Sequence, residues 1–312
     1  MLDDEVAKFL ETVGPNGPEA AIPLSDDPDE LARCLAVLRA RRPAGAVRDA
    51  TVASRDIAIG HGIPLRVYTP TGSEGRPAIL FMHGGGWVFG DLDTFDAFSR
   101  SMAARSRMVL VSVDYRLAPE HPFPAGLNDS AEALEWLRAN ATGLGCDPGR
   151  VVLMGTSSGG NLAAALAASA ARDPRQDIVQ QVLIYPALDS TMSTDSIELN
   201  SSGYYLTSRQ MDWFWRQYAP EPATRSNPLV SPTHSESLEG LPAAIVVTAE
   251  YDPLRDEGRD YAERLATDGV PVRHLEFPGQ IHGFMGLIGI VAAAEEGIER
   301  VADALSTAVE VR

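Results

Sequence analysis

The chain has 312 residues, 45% of them apolar, with a formal net charge of −17 at neutral pH. That length suffices for one large domain with a deep core, and the acidic balance argues against nucleic-acid phosphates or anionic lipid as partners. Cys34 and Cys146 are the only cysteines, so the sequence encodes neither a disulfide framework nor a cysteine metal site. The acidic start, Met1-Leu2-Asp3-Asp4-Glu5, lacks the basic and then apolar order of a signal peptide, and no apolar run approaches the ~20 residues of a membrane span. A cytoplasmic protein with no membrane association is expected.

In chain order, residues 1–50 read as Ala/Leu-rich helices broken by Pro15, Pro18, Pro23 and Pro28. Residues 57–68 alternate around Gly60-His61-Gly62, the pattern of a hairpin. Apolar runs follow at 78–82, 108–113, 151–154, 179–184, 243–248 and 272–277, short enough for strands buried on both faces of a parallel sheet. Between them, Leu162, Leu166 and Ala170, and then Tyr261 and Leu265, have the spacing of helices packed by one face. Ile298, Val301, Leu305 and Ala308 form the stripe of a terminal packing helix. Strands alternating with helices predict an α/β fold, a mostly parallel central sheet with helices on both faces.

Residues 189–237 interrupt the alternation. The stretch is rich in Ser and Thr and then aromatic, with Tyr204, Tyr205, Trp213, Phe214, Trp215 and Tyr218. An aromatic insertion of that length is a lid rather than a disordered linker. The expected organisation is therefore N-terminal cap helices at 1–50, a first core segment at 51–188, a cap insertion at 189–237 and a second core segment at 238–312.

The strongest motif is Gly155-Thr156-Ser157-Ser158-Gly159-Gly160, between a strand-like run and a helical one. A nucleophile raised on a tight strand-to-helix turn needs small residues two before and two after it, and Gly155 and Gly159 satisfy that around Ser157. Taking Ser158 as nucleophile would put Thr156 at the first of those positions. His83-Gly84-Gly85-Gly86-Trp87 follows the run ending at Met82. Consecutive glycines let backbone N–H groups approach a developing oxyanion, so two donors among Gly84, Gly85 and Gly86, with the amide of Ser158, form the expected oxyanion hole. The absence of Gly-Lys-Ser/Thr and of G-x-G-x-x-G weakens a phosphate-loop reading of the same glycines, and His83 is expected to brace the loop.

Asp252 and His282 each lie just past a strand-like run, where sheets of this kind carry functional groups. Ser157, Asp252 and His282 thus stand in the chain order of a hydrolase triad, as nucleophile, orienting acid and base. A lone Asp-Pro is ordinarily a turn and a lone His a surface loop; it is the joint arrangement that carries the assignment. Glu250 and Asp256 flank the acid, and Asp256 suits the first turn of the next helix better. His61, His121, His234 and His274 form no His-x-x-x-His pair, so metal catalysis has no support.

Over most of residues 55–310 the chain resembles the hormone-sensitive-lipase-like family of bacterial carboxylesterases. The resemblance rests on His83-Gly84-Gly85-Gly86-Trp87, Asp114-Tyr115-Arg116-Leu117-Ala118-Pro119-Glu120, residues 155–161, Tyr251-Asp252-Pro253-Leu254-Arg255-Asp256 and Ile281-His282-Gly283-Phe284. It implies an α/β-hydrolase fold with a helical cap, the triad and oxyanion residues named above, a small-molecule ester substrate and no cofactor. It also implies an acyl pocket for short to medium chains, for which Trp87, Phe89, Tyr204, Leu206, Met211, Phe214 and Trp215 are the candidate walls. Most members have Asp and Ala where this chain has Thr156 and Ser158, which bears on specificity rather than reaction class. Residues 114–120 are expected to brace the oxyanion loop. Non-catalytic receptors on the same fold typically lack the triad His, which is present here, and a mean hydropathy of −0.08 does not suggest the apolar lid of a lipase. Amidase and deacetylase chemistry uses the same machinery. The oligomeric state is left open, a homodimer included.

Overall fold

A computed structural model describes residues 1–15, 27–40, 50–171 and 173–310. Two helices come first, α1 (Asp4–Val13) and α2 (Pro28–Arg39). Asp3 caps α1, accepting from the amides of Glu5 and Val6, and Asp27 caps α2, accepting from those of Asp29 and Glu30. Pro15 follows α1 and Pro28 opens α2, whereas Pro18 and Pro23 lie outside the described residues.

The hairpin reading corresponds to β1 (Val52–Ile59) and β2 (Ile63–Pro70), with Gly60 and Gly62 at positive φ in the turn. The six apolar runs correspond to β3 (Ala78–Met82), β4 (Leu110–Val113), β5 (Val151–Thr156), β6 (Ile178–Ile184), β7 (Ala243–Tyr251) and β8 (Val272–Ile281). They form an eight-stranded sheet in the order β1-β2-β4-β3-β5-β6-β7-β8, parallel from β4 to β8 and antiparallel at β1 and β2. The continuous apolar character of β3 to β5 has its reason here: every residue of these strands is buried, with helices above and below the sheet.

The connecting helices are α3 (Asp96–Ser106), α4 (Ala125–Asn140), α5 (Ser158–Ala170), α6 (Asp195–Leu199), α7 (Ser208–Tyr218), α8 (Arg255–Thr267) and α9 (Ala292–Glu310). On one face of the sheet, Phe98 and Met102 of α3 and Ile298, Val301 and Leu305 of α9 pack on Ile79, Phe81, Val152 and Val247. On the other, α2, α4, α5, α7 and α8 share a cluster with Leu80, Val111, Leu153 and Val246. The side chain of Ala308 lies outside what is described. Residues 189–237 carry α6 and α7, and they meet the N-terminal segment: the Tyr205 amide donates to the Pro15 carbonyl at 2.9 Å, and the rings of Phe9 and Tyr205 lie 5.7 Å apart. Among the described residues no helix is long and apolar enough to cross a membrane.

Candidate active site

The three candidate residues follow the carboxyl ends of β5, β7 and β8, with β6 between the first two of these strands. β5 leads through Thr156 into Ser157, which stands at φ 54 and ψ −119 immediately before α5. A non-glycine residue in that region is strained, by about 1–3 kcal/mol, and persists only where its surroundings impose it. The imposition is visible around it. A Cβ on Gly155 would stand 2.0 Å from the Gly159 carbonyl oxygen, and one on Gly159 would stand 2.1 Å from that of Met82. Backbone bonds finish the turn: Ser157 N–H donates to Ile184 at 2.8 Å, and its carbonyl accepts from Asn161 N–H at 3.1 Å.

His282 Nε2 lies 2.9 Å from Ser157 Oγ, and His282 Nδ1 lies 2.7 Å from Asp252 Oδ2. The other oxygen of Asp252 accepts from the Leu254 amide at 2.8 Å, so the carboxylate is held by two donors. Asp252 is wholly buried, while Ser157 and His282 keep 9% and 8% of their surface. Tyr185, just past β6, sets its ring edge against His282 at 4.9 Å. Asp256, the sequence rival for the acid, is in the first turn of α8, where it binds Arg255 at 2.7 Å and accepts from the Ser196 amide at 2.8 Å. Glu250 accepts from Gly279 N–H at 2.7 Å. Neither is hydrogen-bonded to His282. Glu257 is buried and accepts from Leu188 N–H at 3.0 Å, and burial holds its carboxyl well above the usual range.

The glycine loop after β3 folds over Ser157. Gly85 and Gly86 adopt φ of 114 and 59, and a Cβ on Gly85 would stand 2.1 Å from the Phe89 carbonyl oxygen. Among the described residues, no hydrogen bond uses the amides of Gly84, Gly85, Gly86 or Ser158. His83 is fully buried, holds the Gly84 carbonyl through Nδ1 at 2.7 Å and stacks on Tyr115 at 4.3 Å. Burial pushes its imidazole down to about 4, so it is neutral near pH 7. Tyr115 donates its hydroxyl to the His83 carbonyl at 2.9 Å, and Ala118 N–H donates to the Trp87 carbonyl at 2.9 Å. Residues of the 114–120 segment therefore brace the loop through hydrogen bonds and stacking.

Above Ser157 opens a cavity of about 700 Å³. Gly84, Gly85, Gly86, Ser157 and His282 line it, as do Phe89, Leu206, Met211 and Phe214 of the expected pocket walls. Trp87, Tyr204 and Trp215 do not. Trp87 and Trp215 are almost wholly buried and pack on each other at 4.4 Å, with Tyr218 stacked on Trp87 at 4.3 Å. Tyr204 instead packs on Tyr251 at 4.8 Å. These three rings pack on neighbouring side chains instead of lining the cavity. On α7, Met211 and Phe214 turn to the cavity with Gln210, whereas Trp215 packs on Trp87. Tyr185 and Asp91 also line the cavity and carried no sequence signal; Asp114 and Leu117, expected only to brace the oxyanion loop, and Tyr205, noted only among the aromatics of the insertion, line it too, whereas Gln210 announced itself only as the fourth residue of a Thr-x-x-Gln helix cap. Asp114 is pushed up to about 6 by burial first and then by the charges of Asp91 and Asp93. Among the described residues there is no cluster of three or more His, Cys, Asp or Glu side chains suited to a metal ion.

A hydrogen-bonded Ser–His–Asp chain on the floor of a cleft, beneath a loop of unpaired amides, defines a class of hydrolase, and comparison with known proteins agrees. A family model described as alpha/beta hydrolase fold matches residues 79–286. The chain is 40% identical to carboxylesterase NlhH of Mycobacterium tuberculosis over 251 residues, 79% of each chain. It is also 40% identical to carboxylic ester hydrolase LipN of the same organism over 250 residues, 78% of this chain and 66% of that relative, just under two thirds of its length. The structure of a hyperthermophilic esterase from the archaeon Pyrobaculum calidifontis superimposes with a TM-score of 0.82 at 37% identity, covering 99% of both chains. The chain belongs to the α/β-hydrolase family. Within it, the chain is a member of the hormone-sensitive-lipase-like branch.

Proposed function

We propose that this carboxylic ester hydrolase cleaves short- to medium-chain acyl esters through an acyl-enzyme on Ser157. The observation that carries the proposal is the continuous chain from Ser157 Oγ to His282 at 2.9 Å and on to Asp252 at 2.7 Å, opening into the cavity. Ser157 Oγ attacks the ester carbonyl carbon as His282 Nε2 takes its proton. Asp252 keeps the remaining imidazole proton on Nδ1 and stabilises the imidazolium that forms. The amides of Ser158 and of the Gly84, Gly85 and Gly86 loop take the tetrahedral oxyanion; that none of them has a partner among the described residues supports this role. His282 then protonates the leaving alcohol, and a water molecule repeats the sequence on the acyl-enzyme.

Phe89, Leu206, Met211 and Phe214 wall the acyl chain, and residues 1–50 and 189–237 act together as a cap over the core at 51–188 and 238–312. The contacts of Tyr205 with Pro15 and Phe9 support that grouping. A cytoplasmic site of action fits two buried, unbridged thiols, Cys34 and Cys146. The test is direct. Ser157→Ala should leave only a trace of p-nitrophenyl butyrate hydrolysis, and an alkyl fluorophosphonate should label Ser157 alone, as read by peptide mass spectrometry. Full activity in the variant, or labelling elsewhere, overturns the proposal.

A further inference from the structure

We infer that Arg39 is a positioning residue for the oxyanion hole: delivered by the docked helix α2, its guanidinium holds the backbone that follows Gly84, Gly85 and Gly86 in the conformation that forms the hole. The inference rests on the ester-hydrolase reading of the site. Gly85, Gly86 and Trp87 stand in succession at φ of 114, 59 and 60. Glycine adopts such angles freely, but a bulky residue such as Trp87 is strained there and stays only where its surroundings impose it. Hydrogen bonds supply the imposition. The Val88 amide donates to the Gly85 carbonyl at 3.0 Å, the Trp87 carbonyl accepts from the Ala118 amide at 2.9 Å, and the Val88 carbonyl accepts from Arg39 Nε at 3.0 Å.

Arg39 is the last residue of α2, whose Leu35 and Leu38 are buried in the core cluster. Its guanidinium makes further bonds on the same side of the loop. Nη2 donates to the Ala118 carbonyl at 3.1 Å, and the Glu120 carboxylate takes Nη1 and Nη2 at 2.8 and 2.7 Å, which fixes the plane of the fork. One side chain thus ties the residue after Trp87 to the residue that holds the Trp87 carbonyl. Val88 and Ala118 are themselves almost wholly buried, so their carbonyls depend on a donor brought to them. Removing the guanidinium takes that donor from both. A peptide that turns to find another lets Trp87 relax out of positive φ and moves Gly86 with it.

The experiment separates the hole from the pocket. Trifluoromethyl pentyl ketone adds Ser157 and sets a tetrahedral oxyanion in the hole, whereas methyl pentyl ketone fills the pocket with the same chain and largely does not add. Arg39→Met should lower kcat for p-nitrophenyl butyrate about 10- to 100-fold with KM within about threefold, because a displaced oxyanion donor is missed only in the transition state. Ki for the trifluoromethyl ketone should rise by a similar factor, and Ki for the methyl ketone should stay within about threefold. Arg39→Lys keeps the charge without the fork, so its kcat should fall by roughly three- to tenfold. A kcat within about twofold of the unmutated value in Arg39→Met, or in Arg39→Lys where the methionine variant does not fold, overturns the inference. So does a parallel rise in both Ki values, the sign of a collapsed pocket, and so does failure of both variants to fold, since Arg39 would then hold the fold rather than the hole. An unmutated protein that binds the two ketones equally refutes the acyl-enzyme reading itself, and the inference with it.

Discussion

Asp252→Asn tests the catalytic reading through a detail of its surroundings. The two carboxylate oxygens of Asp252 are both committed, Oδ1 to the Leu254 amide at 2.8 Å and Oδ2 to His282 Nδ1 at 2.7 Å. Asparagine has one oxygen and one NH₂ group for those two donors. If its oxygen stays on Leu254, the NH₂ group faces Nδ1 and forces the imidazole proton onto Nε2, where His282 donates to Ser157 and cannot accept from it. The reverse orientation keeps the productive tautomer but sets two buried donors against each other, at a cost of about 1–3 kcal/mol. Loss of the carboxylate charge beside the imidazolium removes roughly another 2–3 kcal/mol, as for a charge-assisted bond. The sum, about 3–6 kcal/mol, corresponds to a loss of about 10²–10⁴ in kcat at 1.36 kcal/mol per decade. Folding should change little, because the residue keeps its shape. Asp252→Ala imposes neither tautomer, so it should be at least as active as Asp252→Asn. Steady-state hydrolysis of p-nitrophenyl butyrate and a urea melt on each variant provide the assay. An asparagine variant within tenfold of the unmutated kcat, or one far more active than the alanine variant, would refute the argument.

Three further predictions follow from packing and charge. Asp114 titrates near 6 in the folded chain and near 3.9 when unfolded, so its ionisation opposes folding increasingly from about pH 4 to pH 6 and by a constant amount above. Asp114→Asn should therefore be more stable than the unmutated protein by about 1–2 kcal/mol at pH 8, after discounting for partial exposure, with the gap closing as pH falls toward 4; chemical denaturation across that range measures it, and a gap that widens on acidification contradicts the assignment. Gly159→Ala should destabilise by roughly 2–4 kcal/mol and cut kcat/KM, since its Cβ would stand 2.1 Å from the Met82 and 2.4 Å from the His83 carbonyl oxygens, backbone atoms that cannot yield without displacing the turn at Ser157; an unchanged urea midpoint would show the turn to be looser than described. In the unmutated protein kcat/KM should rise from acetyl to about hexanoyl esters, as each methylene buried gains roughly 0.8 kcal/mol, and collapse by palmitoyl. Met211→Ala should move the optimum to longer chains by about two carbons, and equal rates on palmitoyl and hexanoyl esters without mutation would mean the cavity is not closed by that wall.

Features that depend on neighbouring residues were legible in the sequence. The run 78–82 coincides with β3 and 151–154 falls within β5, because a strand covered on both faces is apolar at nearly every position, and 179–184 falls within β6 although Gln180 and Gln181 are buried there. The turn at Ser157 was readable because Gly155 and Gly159 are demanded by backbone contacts near 2 Å, which no side chain survives. By contrast, α3 and α4 were not singled out. Both bury small and polar residues among their apolar ones, such as Ser99 and Ser101 in α3 and Asp129 and Ser130 in α4, which blurs the helical stripe.

What the tertiary structure alone decided is which side chains meet. Ser157 and His282 are 125 residues apart, and the sequence supplied their order and their strand ends, whereas the contact at 2.9 Å depends on β5 lying two strands from β7 and three from β8 in the sheet. The cavity wall was the least legible part. Met211, Phe214 and Trp215 share a helical spacing, and the rotation of α7 about its own axis determines which of them faces the substrate and which packs on Trp87. On α7 both Trp215 and Tyr218 pack on Trp87, a ring more than a hundred residues away in sequence, a packing solution that no local pattern encodes. Tyr185 and Asp114 entered the site in the same way: each follows a strand whose end the sequence located, but only the assembled sheet brings those ends to one cavity.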